Sequence, residues 1–229
     1  ILNHALLAYL LVLETPFLKP REVVIIDEAQ EFEEYVLNAR RLSLAYDQVP
    51  AFANDPVVLA NCGDGERGRA VQANHRLFTE LSRRIDEDGG RRVAVPDELP
   101  VALTVAGHLK TLHGQLLTRY PPVAGAGEGN EENLRHQRAM EWAAELANGV
   151  QTLGRAVPEG QVRYLEGAWG GTEAARVSLH QEPVEVAEFL HTALWEATKT
   201  VVCTTATLAV NQRFDYFGSR TGVPRDGIY

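Results

Sequence analysis

The chain has 229 residues, 45% hydrophobic and 23% charged, with a formal net charge of −9 and a pI near 5.3. That composition is ordinary for a globular protein of one large or two small domains, and its acidic balance argues against a dedicated polyanion-binding module, whose footprint is normally basic. Cys62 and Cys203 lie far apart and form neither a CxxC pair nor a disulfide framework, which fits a reducing cytosol. No apolar run reaches the length of a membrane span; the longest, residues 5–13, is too short and carries Tyr9. The chain begins Ile-Leu-Asn-His, with no initiator Met and no basic leader, so no signal peptide is expected, and both ends read as cut from something longer.

Residues 3–13 predict a short helix, broken at Pro16. Val23-Val24-Ile25-Ile26 then reads as a strand buried on both faces, as in a parallel sheet. Asp27 and Glu28 follow at the strand's C-terminal edge, where open α/β sheets bind ligands. A carboxylate pair there suits nucleoside-triphosphate hydrolysis, one acid in the Mg²⁺ shell and the other polarising a water. The bland alternative is that Asp27 merely caps a helix over residues 29–34, whose acids favour a first turn.

From residue 31 to about 153 the pattern is amphipathic helix. Leu77, Leu81 and Ile85 share one face, as do Val105, Leu109, Leu112 and Leu116. A third helix over residues 131–153 carries Trp142, Leu146, Val150 and Leu153 on one stripe, with Gly154 as its stop. Residues 121–130, rich in Gly and Ala, predict a loop. After Pro158, residues 162–165 and 175–180 alternate like strands, and residues 184–197 predict a helix with Val186, Phe189, Leu190 and Leu194 inward. Thr200-Val201-Val202-Cys203-Thr204 is a second apolar strand, followed by Thr205-Ala206-Thr207-Leu208. The expected assembly is an α/β layer interrupted by a helical insertion with its own core.

Three segments in order, Asn3-His4-Ala5-Leu6-Leu7, Ile26-Asp27-Glu28-Ala29-Gln30 and Thr204-Thr205-Ala206-Thr207-Leu208, together resemble the XPD/DinG family of superfamily-two DNA helicases. In that family an N-H-x-L-L segment precedes a D-E-A-H box, and a helical Arch insertion separates the box from motif III, usually S-A-T-L. Phe214-Asp215-Tyr216-Phe217, followed by Gly222, resembles the helix after motif III. Gln30 stands where the family usually has His, and Thr205 where it usually has Ser. Thr keeps the hydroxyl; Gln keeps donor and acceptor but does not titrate. A superfamily-one origin is disfavoured by the absence of a G-D-x-x-Q motif.

The resemblance implies an α/β fold: a partial P-loop helicase motor domain with a large helical insertion. Residues 1–30 would be the first part of motor domain one, 31–158 the Arch-like insertion, and 159–229 the second part. It further implies Asp27 as the Mg²⁺ partner, through water, and Glu28 as the catalytic base for ATP hydrolysis. Gln30, Thr205, Ala206 and Thr207 would couple that step to translocation along single-stranded DNA and to unwinding of forked or duplex DNA, in repair or replication, by a monomer in the cytoplasm moving 5′ to 3′. No G-x-x-x-x-G-K-[ST] occurs, so the phosphate-cradling loop and the arginine motifs of a second motor domain would lie outside these residues, and the chain alone is expected to be inactive. The family's iron–sulfur cysteines, where present, lie upstream of the N-H-x-L-L segment, and neither Cys62 nor Cys203 is assigned to a cluster.

Other readings stay open. Asn3 and His4 face DNA or simply cap the first helix. Thr205 and Thr207 relay nucleotide state or bond local backbone. Trp142 and Trp195 fall in helical patterns and predict core packing, whereas Trp169, among glycines, is the candidate for stacking on bases. His108 and His113, five apart, leave a shared helical face and predict no metal site. Arg83-Arg84 and Arg91-Arg92 flank Asp86-Glu87-Asp88 as a solvated surface. Two rivals to the helicase reading are a DNA-dependent ATPase fused to a nuclease and a degenerate motor kept as a scaffold.

Overall fold

The computed structural model describes residues 1–13, 22–89, 91–119, 131–167, 177–205 and 214–224. In chain order its elements are α1 (His4–Val12), β1 (Val23–Asp27), a 3₁₀ turn (Ala29–Glu31), α2 (Phe32–Arg40) and β2 (Leu42–Ala45). There follow α3 (Gln48–Ala53), α4 (Pro56–Asn61), α5 (Asp64–Asp88), β3 (Arg92–Ala94), α6 (Pro100–Arg119) and α7 (Glu131–Gly154). Last come β4 (Gln161–Gly167), β5 (Val177–Pro183), α8 (Ala187–Leu190), a π-helical turn (His191–Glu196), β6 (Thr200–Thr204) and α9 (Asp215–Thr221). None of the described helices is long and apolar enough to cross a membrane.

The chain divides into two compact units, one of residues 1–41 and 182–229, the other of residues 42–181. In the first, β1 and β6 form a two-stranded parallel sheet, with Val24 opposite Val201, Ile26 opposite Cys203 and Asp27 opposite Thr204. The two apolar runs, separated by more than 170 residues, are therefore neighbours in one sheet. Ile26 packs with Ala8, Ala29, Phe32, Val36, Val186, Leu190 and Leu194. The expectation of burial on both faces is corrected. Strand alternation points Val23 and Ile25 away from that cluster, and they are 54% and 68% exposed. Among the described residues the helices cover one face of the sheet.

The second unit pairs a helical layer with a four-stranded sheet of order β2-β5-β4-β3, in which β2 runs antiparallel to β5 and β3 antiparallel to β4. Its helices form where the sequence supplies caps. Asp55 accepts the amide hydrogen bond of Val57 at 2.8 Å, with Pro56 opening α4, and Gly89 (φ 66°) ends α5 in the left-handed region. Leu77 and Leu81 of α5 and Leu109, Leu112 and Leu116 of α6 are fully buried, each contributing roughly 1.5–3 kcal/mol. Trp142 packs edge-on against Phe52 at 5.4 Å.

Two further expectations change in part, while α7 ends at Gly154 as expected. Val150 and Leu153 are buried as expected, but the rest of the apolar seam of α7 is Ala139, Ala143 and Ala147, with Trp142 and Leu146 flanking it half-buried, because small residues let α6 and α7 approach closely. Gly154 belongs to that approach: a Cβ there would lie 2.7 Å from Cδ2 of Leu103 and 3.1 Å from its backbone nitrogen. The boundaries expected at 30/31 and 158/159 fall instead at 41/42 and 181/182. The physical reason is strand pairing. β2 and β3 interrupt the helical stretch and recruit β4 and β5, so that Leu44 and Leu179, and Val93 and Leu165, become register partners in one core. The predicted loop at 121–130 lies outside the described residues.

Candidate functional site

The C-terminal ends of β1 and β6 set the site. Because Asp27 and Thr204 are register partners, the Thr204 hydroxyl donates to Oδ1 of Asp27 at 2.7 Å. Asp27 is the last strand residue and caps no helix, correcting that alternative. The chain turns at Glu28, which holds φ 48° and ψ 47°, the left-handed region; it is the one non-glycine residue with positive φ among those described. Such a backbone costs on the order of 1–3 kcal/mol and persists where the surroundings over-determine it. Here Ala29 and Phe32, 1% and 3% exposed, pin the turn to the core. Glu28 is thereby left exposed beyond the strand end.

Gln30 joins the two strand ends. Its amide nitrogen donates to Oε2 of Glu28 at 2.9 Å, and its carbonyl oxygen accepts the hydroxyl of Thr205. Asp27, Glu28, Gln30, Thr204 and Thr205 thus form one exposed polar edge. A divalent hard cation that keeps most of its waters needs one or two carboxylates plus substrate oxygens. Asp27 and Glu28 supply two carboxylates of that type side by side in the chain at the strand end. Among the described residues no group of three or more His, Cys, Asp or Glu side chains is placed to hold a metal unaided. Burial pushes the Cys203 thiol, one residue before Thr204, up to about 11, which favours its protonated form.

The other candidate residues divide. Asn3 is the N-cap of α1, accepting from the Leu6 amide at 2.8 Å, and the His4 ring packs edge-on against Phe32 and Tyr35 at 5.9 and 5.4 Å. Trp195 donates from Nε1 to the Thr221 carbonyl at 2.6 Å. Ala206, Thr207 and Trp169 lie outside the described residues.

Sequence reasoning missed three polar clusters. Arg220 on α9 pairs with Glu33 on α2. In the second unit Glu66, 8% exposed, lies 2.7 Å from Nδ1 of His108 and accepts from Nε of Arg69 at 2.9 Å. Arg163, 3% exposed, gives its guanidinium to the carbonyls of Val95, Asp97, Leu153 and Arg155, and burial holds its pKa below the usual value. The Glu66–Arg69 contact is an i,i+3 pair on one helix face and has a local sequence signal. The Arg220–Glu33, Glu66–His108 and Arg163 contacts instead depend on how distant elements pack, which is invisible before the fold is known. No protein-family model matches the chain, and no curated protein matches it either.

Proposed function

We propose that the chain is part of an ATP-dependent DNA helicase of the XPD/DinG kind, with the β1–β6 unit as part of motor domain one and the second unit as the Arch-like insertion. The observation that carries this reading is the Gln30 bridge. One amide contacts both the carboxylate assigned to water activation, Glu28, and the hydroxyl assigned to motif III, Thr205. A mere strand-to-helix turn has no need of a left-handed glutamate tied across the sheet edge.

In this reading Asp27 holds water ligands of Mg²⁺, which when bound neutralises charge on the triphosphate. Glu28 orients a water and takes its proton. Thr204 fixes one Asp27 oxygen, and the carboxylate's other oxygen would be the one to accept from a metal-bound water. Gln30 senses the position of Glu28 and passes it to Thr205, and hence to the segment leading towards α9. Glutamine does this without titrating, where a histidine would change charge near neutral pH. The phosphate-binding loop and arginine motifs come from the rest of the parent protein, so the 229 residues alone hydrolyse no ATP.

The test is phosphate release by the full-length parent with and without single-stranded DNA, beside strand separation on a forked duplex. DNA-stimulated turnover and ATP-dependent unwinding are expected. A parent that turns over no ATP favours the scaffold reading instead, and turnover accompanied by DNA cleavage favours the nuclease fusion.

A further inference from the structure

We infer that Arg220 and Glu33 are a positioning pair, holding α9 against α2 so that the hydroxyls of Thr204 and Thr205 stay on Asp27 and Gln30 through the reaction cycle; this role rests on the motor reading above. The same two stretches of chain are tied at three points. Thr204 meets Asp27, Thr205 meets Gln30, and Arg220 meets Glu33. In sequence the first two ties stand just before residues 206–213 and the third just after them. Glu33 lies in the first turn of α2, directly behind the 3₁₀ turn that carries Gln30. A displacement of that turn is therefore carried into α2 and delivered to α9 through the ion pair.

The geometry favours a pair that does more than decorate the surface. The side chains are 18% and 33% exposed, so water screens them less than an open pair. Each charge also matches its helix end, Glu33 at the start of α2 and Arg220 in the last turn of α9. α9 has independent moorings: Nδ1 of His191 lies 2.9 Å from the Gly222 carbonyl, and Trp195 holds the Thr221 carbonyl. Gly222 (φ 73°) sits so close to Ala187 that a Cβ would fall 2.0 Å from its carbonyl oxygen. These contacts keep α9 docked on α8 and the π-helical turn when Arg220 is removed, so that only its tie to α2 is lost, which separates transmission from folding.

The experiment uses the full-length parent, mixed-sequence single-stranded DNA and ATP, with a thermal melt of every variant. Arg220→Ala should lower DNA-stimulated kcat about five- to tenfold with the KM for ATP within about twofold, the size of a coupling residue's effect. Arg220→Lys, which keeps the positive charge at the same helix end, should restore most of that loss. Gly222→Ala, which forces α9 off Ala187, supplies the signature of a structural defect: a lowered melting temperature with kcat and KM both altered. Wild-type behaviour of Arg220→Ala overturns the role. So does an Arg220→Lys variant as slow as Arg220→Ala, or an Arg220→Ala profile that matches Gly222→Ala. A parent with no ATP turnover at all removes the motor reading and this role together, whereas a DNA-stimulated parent indifferent to Arg220 removes the role alone.

Discussion

Thr205 donates its hydroxyl to the side-chain carbonyl oxygen of Gln30, 175 positions earlier in the chain. The bond exists because β1 and β6 pair in parallel with Asp27 opposite Thr204, which brings the residues just beyond each strand to one edge. Thr205→Val keeps the shape and deletes the donor. Under the motor reading it should lower DNA-stimulated turnover of the full-length parent about three- to tenfold while leaving ATP affinity near wild type, in the range of measured coupling effects. Steady-state kinetics with and without DNA check this, and equal turnover would show that the bond transmits nothing.

Glu28→Gln tests the chemistry itself. The substitution is nearly isosteric, leaves Asp27 in place and still offers an oxygen to the Gln30 amide. Turnover of the parent should fall by roughly 10²–10⁴-fold, the usual contribution of a positioned base, with nucleotide binding retained. Retained hydrolysis, measured as phosphate release beside equilibrium binding of a fluorescent ATP analogue, would mean that another group activates the water.

The elements that carry this edge were legible in the sequence because their signal is local. Four β-branched residues before Asp27 and an apolar run before Thr204 define two strands, and the spacing of Leu109, Leu112 and Leu116 defines a helix face. β2 and β3 were not legible. Leu42–Ala45 and Arg92–Ala94 are only four and three residues long, too short for a period to emerge, and they exist because β5 and β4 pair with them. The α7 seam was read through its large residues, although alanines at four-residue spacing line the contact. At the site, Asp27, Glu28, Gln30 and Thr205 followed from motif order, whereas the Thr204–Asp27 bond needed the β1–β6 register and the Arg220–Glu33 pair needed the placement of α9 near α2.

Gly154 supplies a stability test independent of function. A Cβ at this position meets Leu103 at its side chain and its backbone nitrogen, beside the hydrogen bond from the Leu99 amide to the Gly154 carbonyl at 2.9 Å. The Leu103 methyl can rotate aside, but its backbone cannot move without shifting the start of α6. Gly154→Ala should therefore destabilise the chain by about 1–3 kcal/mol, the range for overpacking, despite alanine's better helix propensity. Urea denaturation followed by circular dichroism measures it. A stabilised variant would mean that α6 and α7 separate freely.

Glu66 carries a pH dependence whose sign is fixed by its surroundings. Burial pushes its pKa up, but hydrogen bonds from Arg69 and His108, together with their positive charges, outweigh burial and hold it below the ordinary glutamate value. A carboxylate with a depressed folded-state pKa binds fewer protons folded than unfolded, so folding is favoured wherever the unfolded chain would protonate first. The stabilisation is fully present above the unfolded value of about 4.3 and is lost as pH falls through the lower folded-state value. Glu66→Gln removes the charge at every pH. The gap in urea midpoint between wild type and Glu66→Gln should thus be widest from pH 5 to pH 7, on the order of the unfolded pKa and above it, and should close on acidification. A gap that stays constant down to the acid transition would show that the ionised Glu66 adds nothing beyond its packing. A gap that widens on acidification would mean that its folded-state pKa is raised, with burial prevailing over Arg69 and His108.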